Sequence, residues 1–220
     1  MFPNPGPGPK LARSHDADAL SSYAAFLAST RRFDEAVRLS MQALALDPLN
    51  PAQLVRAMTC TNLARRFDET LALCDRAIER MPEFPESYRW RGLSLLALER
   101  VEESITAFTI AVRLSGRNVW ALYDHGLALV AAGSVTEARE IAAELDARAL
   151  LEPVPALART LGPLCAEPPN PDGIFHLLDL WYEQRGFWLV MLAVDPALGW
   201  LREDPRCTDL IARVRIPVGP

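Results

Sequence analysis

"RRFDEA" at residues 31–36 and "RRFDET" at residues 65–70 are nearly the same six residues, written 34 positions apart. The register continues beyond this pair. From Phe33 and Phe67 the next two steps fall on Val101 and Val135, in "VEES" and "VTEA". Ala43, Ala77 and Ala111 recur in phase, as do Pro48 and Pro82, with Gly116 at the third place. Four phased units of this length predict stacked repeats, each burying an apolar face on its neighbour.

Each unit holds two helical patterns. "DALSSYAAFLAST" sets Leu20, Tyr23, Ala24 and Leu27 on one helix face, and "DEAVRLSMQALAL" does the same with Val37, Met41 and Leu44. Small Ala36 and Ala43 let the second helix approach the first closely, and "TRRF" supplies the turn between them. Asp34 and Glu35 open the second helix, where the helix dipole favours negative charge. Boundaries are equally legible. Pro48 stops one helix, Asn50 offers a cap and Pro51 starts the next. Pro82 and Pro85 repeat that pair around Phe84, a poor cap, while Gly116 and Asn118 serve as stop and cap further on.

The third unit carries Tyr88, Gly92, Leu95, Phe108 and Ala111; the fourth carries Leu122, Gly126, Leu129 and Ala138. The first has Leu20, Ala24, Leu27, Ala36, Ala43 and Pro48, and the second has Leu54, Ala77 and Pro82. In this pattern the chain resembles the tetratricopeptide repeat family over roughly residues 17–152. The resemblance implies an all-α fold: a right-handed α-solenoid of about four helix-turn-helix units with a C-terminal helical capping extension. The expected organisation is a disordered Pro/Gly-rich start at 1–15, repeats at 16–152 and the extension at 153–220.

In the extension, "PPNPDG" marks a boundary, and a short helix fits near 156–162. Ile174, Leu177, Leu178 and Trp181 share a helix face ahead of Gly186, and a last helix is expected from about 205 to 214. Phe187, Trp188, Leu189, Met191 and Leu192 are expected to cover the open end of the solenoid, with a dimerisation patch as the alternative. The stretches "WYEQRGFWLVMLAVDP" and "LREDPR" are similar to tails that close tetratricopeptide regions of multi-domain bacterial regulators. That likeness implies a second role, as a regulatory or sensor subunit for a separate transcription factor, kinase or cyclase.

Composition narrows the function. The chain has 220 residues, 50% of them hydrophobic, with a net charge of −5 and a pI near 5.3, which gives no attraction for nucleic acid. All basic residues but Lys10 are arginine, which suggests a GC-rich, bacterial source. The start lacks a signal-peptide pattern and "FWLVMLAV" is too short to span a bilayer, so a cytoplasmic protein is expected. Cys60, Cys74, Cys165 and Cys207 form no CxxC pair, and His15, His125 and His176 show no ligand spacing. No metal, cofactor or enzyme activity is expected.

What remains is the surface that repeats create: the first helices line a concave groove. Arg56 and Asn62 in the second unit, Arg89 and Trp90 in the third, and Trp120, Tyr123 and Asp124 in the fourth are the candidate partner-binding residues. Arginine beside tryptophan and tyrosine is hot-spot composition. The expected partner is a peptide or helix of another protein. Reversing Arg56 and Arg89 together is expected to abolish binding and leave melting unchanged.

Overall fold

Each first helix ends on a residue in the left-handed backbone region, and that residue recurs with the sequence period. Arg31, Arg65, Glu99 and Gly133 have φ of 65°, 60°, 60° and 78°. The residue after each donates its N–H five positions back: Arg32 to Leu27, Arg66 to Thr61, Arg100 to Leu95 and Ser134 to Leu129, at 2.9 Å in every unit. The left-handed residue itself donates three back, as Arg31 does to Ala28. This is the Schellman closure, which satisfies helix-end carbonyls and turns the chain sharply. The copied "RRFDE" is therefore the turn and the first residues of the second helix.

In the computed structural model, residues 9–184 and 187–214 are described. Residues 1–8 of the Pro/Gly start and Gly186 lie outside them, as do the side chains of His15, Phe187 and Trp188. Four helix pairs follow in order: α1 (Pro9–Ser29) with α2 (Phe33–Leu46), α3 (Pro51–Leu63) with α4 (Phe67–Arg80), α5 (Pro85–Ala97) with α6 (Val101–Leu114), and α7 (Val119–Ala131) with α8 (Val135–Arg148). Asn50 and Asn118 cap α3 and α7 by accepting from the backbone N–H of Ala52 and Trp120, each at 2.9 Å. Phe84, lacking a side-chain acceptor, makes no such bond at α5.

Within the pairs, volumes are complementary. Gly92 of α5 faces the fully buried ring of Phe108 in α6, and a Cβ there would meet that ring at 2.7 Å. One period later the positions hold Gly126 and Ala142, and the space that the alanine leaves is taken by Leu161 of the extension. The extension thus docks through a side chain that replaces the missing large residue of the fourth pair. It begins with α9 (Ala156–Arg159) and α10 (Leu161–Leu164), which pack on α7 and α8, and continues with α11 (Pro171–Glu183).

Two 3-10 segments, Phe187–Ala193 and Pro196–Glu203, precede α12 (Pro205–Val214). They do not sit only on the open end, as the sequence led us to expect for Leu189, Met191 and Leu192. Leu189 and Leu192 join the core of the extension, but Met191 and Val194 pack into the first pair's cluster with Ala24, Leu27 and Leu63. The end is closed by Leu157, Leu161 and Leu178, while the following segment turns back across the repeats. Its turn is braced by Arg202, which donates to the carbonyls of Leu192 (2.9 Å) and Asp195 (2.8 Å).

Two kinds of substitution test this account. Glu99→Gly relieves a left-handed residue with an exposed side chain and is expected to stabilise the fold by about 1 kcal/mol, whereas Gly133→Ala costs about the same. Gly92→Val drives a branched side chain into Phe108 and is expected to cost about 2 kcal/mol. Urea unfolding curves check all three, and a stabilising Gly92→Val would refute the close packing.

Candidate functional site

The first helices α3, α5 and α7 lie side by side, so residues one period apart fall on a common inner face. Below the returning segment that face encloses a partly open cavity of about 530 Å³. Arg56, Arg89, Trp90, Trp120, Tyr123 and Asp124 all line it, so the sequence reading gathers these onto one site. Asn62 stands apart: it is buried between α3 and α5, where its amide donates to the Ser94 hydroxyl at 3.0 Å. The extension adds Leu157, Met191, Asp195 and Leu198 to the wall; of these the sequence singled out Met191, within the apolar segment expected to cap the solenoid or form a patch.

Burial separates the lining residues by role. Arg89 Nε donates to Asp124 Oδ2 at 2.6 Å, and the two side chains are only 19% and 5% exposed. Glu86 lies 3.4 Å from the same guanidinium, which also sits 5.4 Å from the centre of the Trp90 ring. Burial works against the charge on Arg89, but Asp124, Glu86 and Asp195 outweigh it and raise its pKa. Burial likewise pushes Asp124 up from an ordinary 3.8 to about 6; Arg89 opposes that rise and Asp195 adds to it. Burial also raises the Tyr123 phenol.

The pair therefore belongs to the fold as much as to the site. Reversing Arg89 would bury two or more like charges together, so the expectation of unchanged melting for the Arg56 and Arg89 double reversal is corrected here. Arg56 differs. It forms no ion pair among the described residues, is only partly buried, and its Nε is buried without a hydrogen-bond partner. Trp120 is also partly exposed, and Phe84 and the exposed Pro51 and Ala52 line the same cavity.

Reactive groups elsewhere are muted. All four cysteines are buried, and burial pushes the Cys74 thiol to about 12 and raises Cys60, Cys165 and Cys207. Burial lowers the pKa of His125. Among the described residues no group of three or more His, Cys, Asp or Glu is placed to hold a metal ion. Among them, too, no helix is long and apolar enough to cross a membrane.

Comparison with known proteins agrees with the architecture. The tetratricopeptide repeat profile matches residues 64–119 and 91–153. Anaphase-promoting complex subunit 3 of Schizosaccharomyces pombe is 30% identical over 95 residues, which is 43% of this chain and 14% of that relative. The crystal structure of a thermophilic tetratricopeptide protein from Thermus thermophilus superposes with a TM-score of 0.61 at 18% identity, covering 89% of this chain and 99% of the other. A tetratricopeptide protein of Parabacteroides merdae gives 0.51 at 14% identity, over 94% and 81% of the two chains. The first tetratricopeptide domain of human RPAP3 gives 0.50 at 21% identity, over 55% and 95%. Residues 64–153 thus match the tetratricopeptide repeat model, and the chain as a whole is an all-α solenoid of helix pairs, like those of known tetratricopeptide proteins, with a helical extension.

The buried pair makes stability depend on pH with a defined sign. A carboxyl whose folded pKa stands above its unfolded value favours the fold when protonated. Asp124 thus contributes most below 3.8 and loses that contribution as pH rises through about 6. Arg89→Ala leaves Asp124 buried without its cation and is expected to cost about 3–5 kcal/mol near neutral pH. The defect should shrink on acidification toward about pH 4, because the orphaned carboxyl is then neutral. Denaturant titrations across that range check this. A defect that grows on acidification would contradict it.

Proposed function

We propose that the chain is a non-catalytic protein-interaction module, a scaffold or adaptor working in the cytoplasm of a bacterium. It receives a short segment of a partner at the cavity rim, with Arg56 and Trp120 as the contact residues. The observation that carries this reading is the division of labour on the inner face. Arg89 and Asp124 satisfy each other, while Arg56 and Trp120 stand partly exposed at the mouth of an aromatic-lined cavity. Arginine and tryptophan at such a mouth give large contact area and charge-assisted bonds. The returning segment narrows the groove, which favours a short peptide with one anchor side chain over a long helix laid along the repeats. The fission-yeast relative is by name a subunit of an assembly, which fits an interaction role.

A second reading, as a regulatory or sensor subunit, draws on one further observation. The extension supplies part of the cavity wall through Met191, Asp195 and Leu198, so occupancy bears directly on the extension. Either way the same residues are tested. Arg56→Glu and Trp120→Ala are each expected to weaken partner capture at least about tenfold with helix content retained. The tagged 220-residue chain and its variants, used to capture partners from source lysate and read by mass spectrometry, measure this. A partner kept by both variants would move the site off this face.

A further inference from the structure

We infer that the cavity beneath the returning segment binds a free small organic acid, one carboxylate on an aromatic or long aliphatic body. This rests on the cavity's being a binding site, as above, but assigns its interior to a small molecule and not to the partner chain.

Size comes first. About 530 Å³ falls within the range of roughly 300–1,000 Å³ typical of small-molecule sites. Walls come next. Val55, Phe84, Trp90, Trp120, Leu157 and Leu198 make the enclosure largely apolar and aromatic, and they come from three repeats and the extension together. Beyond their first turns, the backbone groups of α3, α5 and α7 are bonded within their helices. A peptide drawn inside would therefore bury N–H and C=O groups that find few partners. A small acid carries no such groups.

Charge then selects the head group. Arg56 brings a guanidinium to the wall without an ion-pair partner among the described residues, and its buried Nε lacks an acceptor. A carboxylate in the cavity supplies the opposite charge to the guanidinium that lines it. Trp90 Nε1 and Tyr123 Oη are two more polar atoms without partners, on side chains only 9% and 2% exposed, though Tyr123 lies near Thr160. Around Arg89, by contrast, stand Glu86, Asp124 and Asp195. Those carboxylates oppose a second anionic group on the ligand. The site is therefore selective for a monoacid whose charge sits at the Arg56 end.

Because Arg56 serves both the rim and the interior, the acid competes with the partner. This gives the sensor reading a physical basis, since the ligand touches the extension at Leu198 while it occupies the arginine.

The test uses the 220-residue chain with naphthylacetate and dodecanoate as probes, and naphthylethylamine as a matched cation. Quenching of tryptophan fluorescence reports binding, because Trp90 and Trp120 form the walls. A rise in thermal midpoint is the second readout. Saturable binding of both acids is expected, with naphthylacetate at least about tenfold tighter than the amine. Arg56→Met, which keeps the side-chain bulk, should weaken the acids by about tenfold or more. Ala52→Trp, at an exposed rim position, should slow or block entry without unfolding the chain. Equal or tighter binding of the amine, unchanged affinity in Arg56→Met, or no saturable binding of either acid up to millimolar concentration each overturns the inference. Partner capture separates the two readings. Capture lost in Arg56→Glu without acid binding leaves the interaction reading standing alone, and acid binding with capture retained does the reverse.

Discussion

The left-handed residue that ends each first helix is the constraint on which the molecule depends. Without it the chain would leave the helix in a direction that cannot bring the second helix back along the first. Three of the four repeats place arginine or glutamate there, at roughly 1 kcal/mol of backbone strain each. Such strain persists only where the surroundings over-determine it. Here they do, because the next residue's N–H closes on a carbonyl five positions back in every repeat. The following apolar residue, Phe33, Phe67, Val101 or Val135, then starts the second helix at a fixed angle. Pairing, stacking and the common inner face all follow from that repeated corner.

Packing between the helices is where the repeats stop being copies. Gly92 exists for Phe108, while one period later Gly126 and Ala142 hold these positions and Gly126 faces Leu161 from outside the repeat. A small residue opposite a small residue is what makes the fourth pair a receptor for the extension. The solenoid ends not because the period is lost but because its last unit has room for something else.

The repeat period alone made this architecture legible. It placed Asn50, Pro51 and Asn118 at helix starts and put Arg56, Arg89 and Trp120 on one face. It could not say which of these the fold itself consumes. Two polar contacts between neighbouring first helices link residues 35 apart: Gln53 with Asp18 at 2.9 Å, and Arg89 with Asp124. That offset of one beyond the period was a usable signal for the buried pair. Asn62 shows the opposite case, since nothing in its spacing distinguishes a groove residue from one buried against Ser94 of the neighbouring first helix. The path of the extension was hidden for a different reason. Val194 reaches the first repeat from far along the chain, and such a contact leaves no periodic trace in sequence.

The inner face of a solenoid is therefore not simply the surface left over after stacking. In this chain the extension takes the apolar stretch of the first repeats with Met191 and Val194, and Arg89 is held by carboxylates from both the repeats and the extension. What survives this internal use is small and specific: one arginine, a tryptophan at a rim, and an enclosed space with aromatic walls. A groove reduced in this way gives up the breadth needed for a long helix and gains the enclosure that lets a single charged contact count. Inside such walls an unmatched head group loses its water and receives nothing in exchange, so a single matched charge decides what enters.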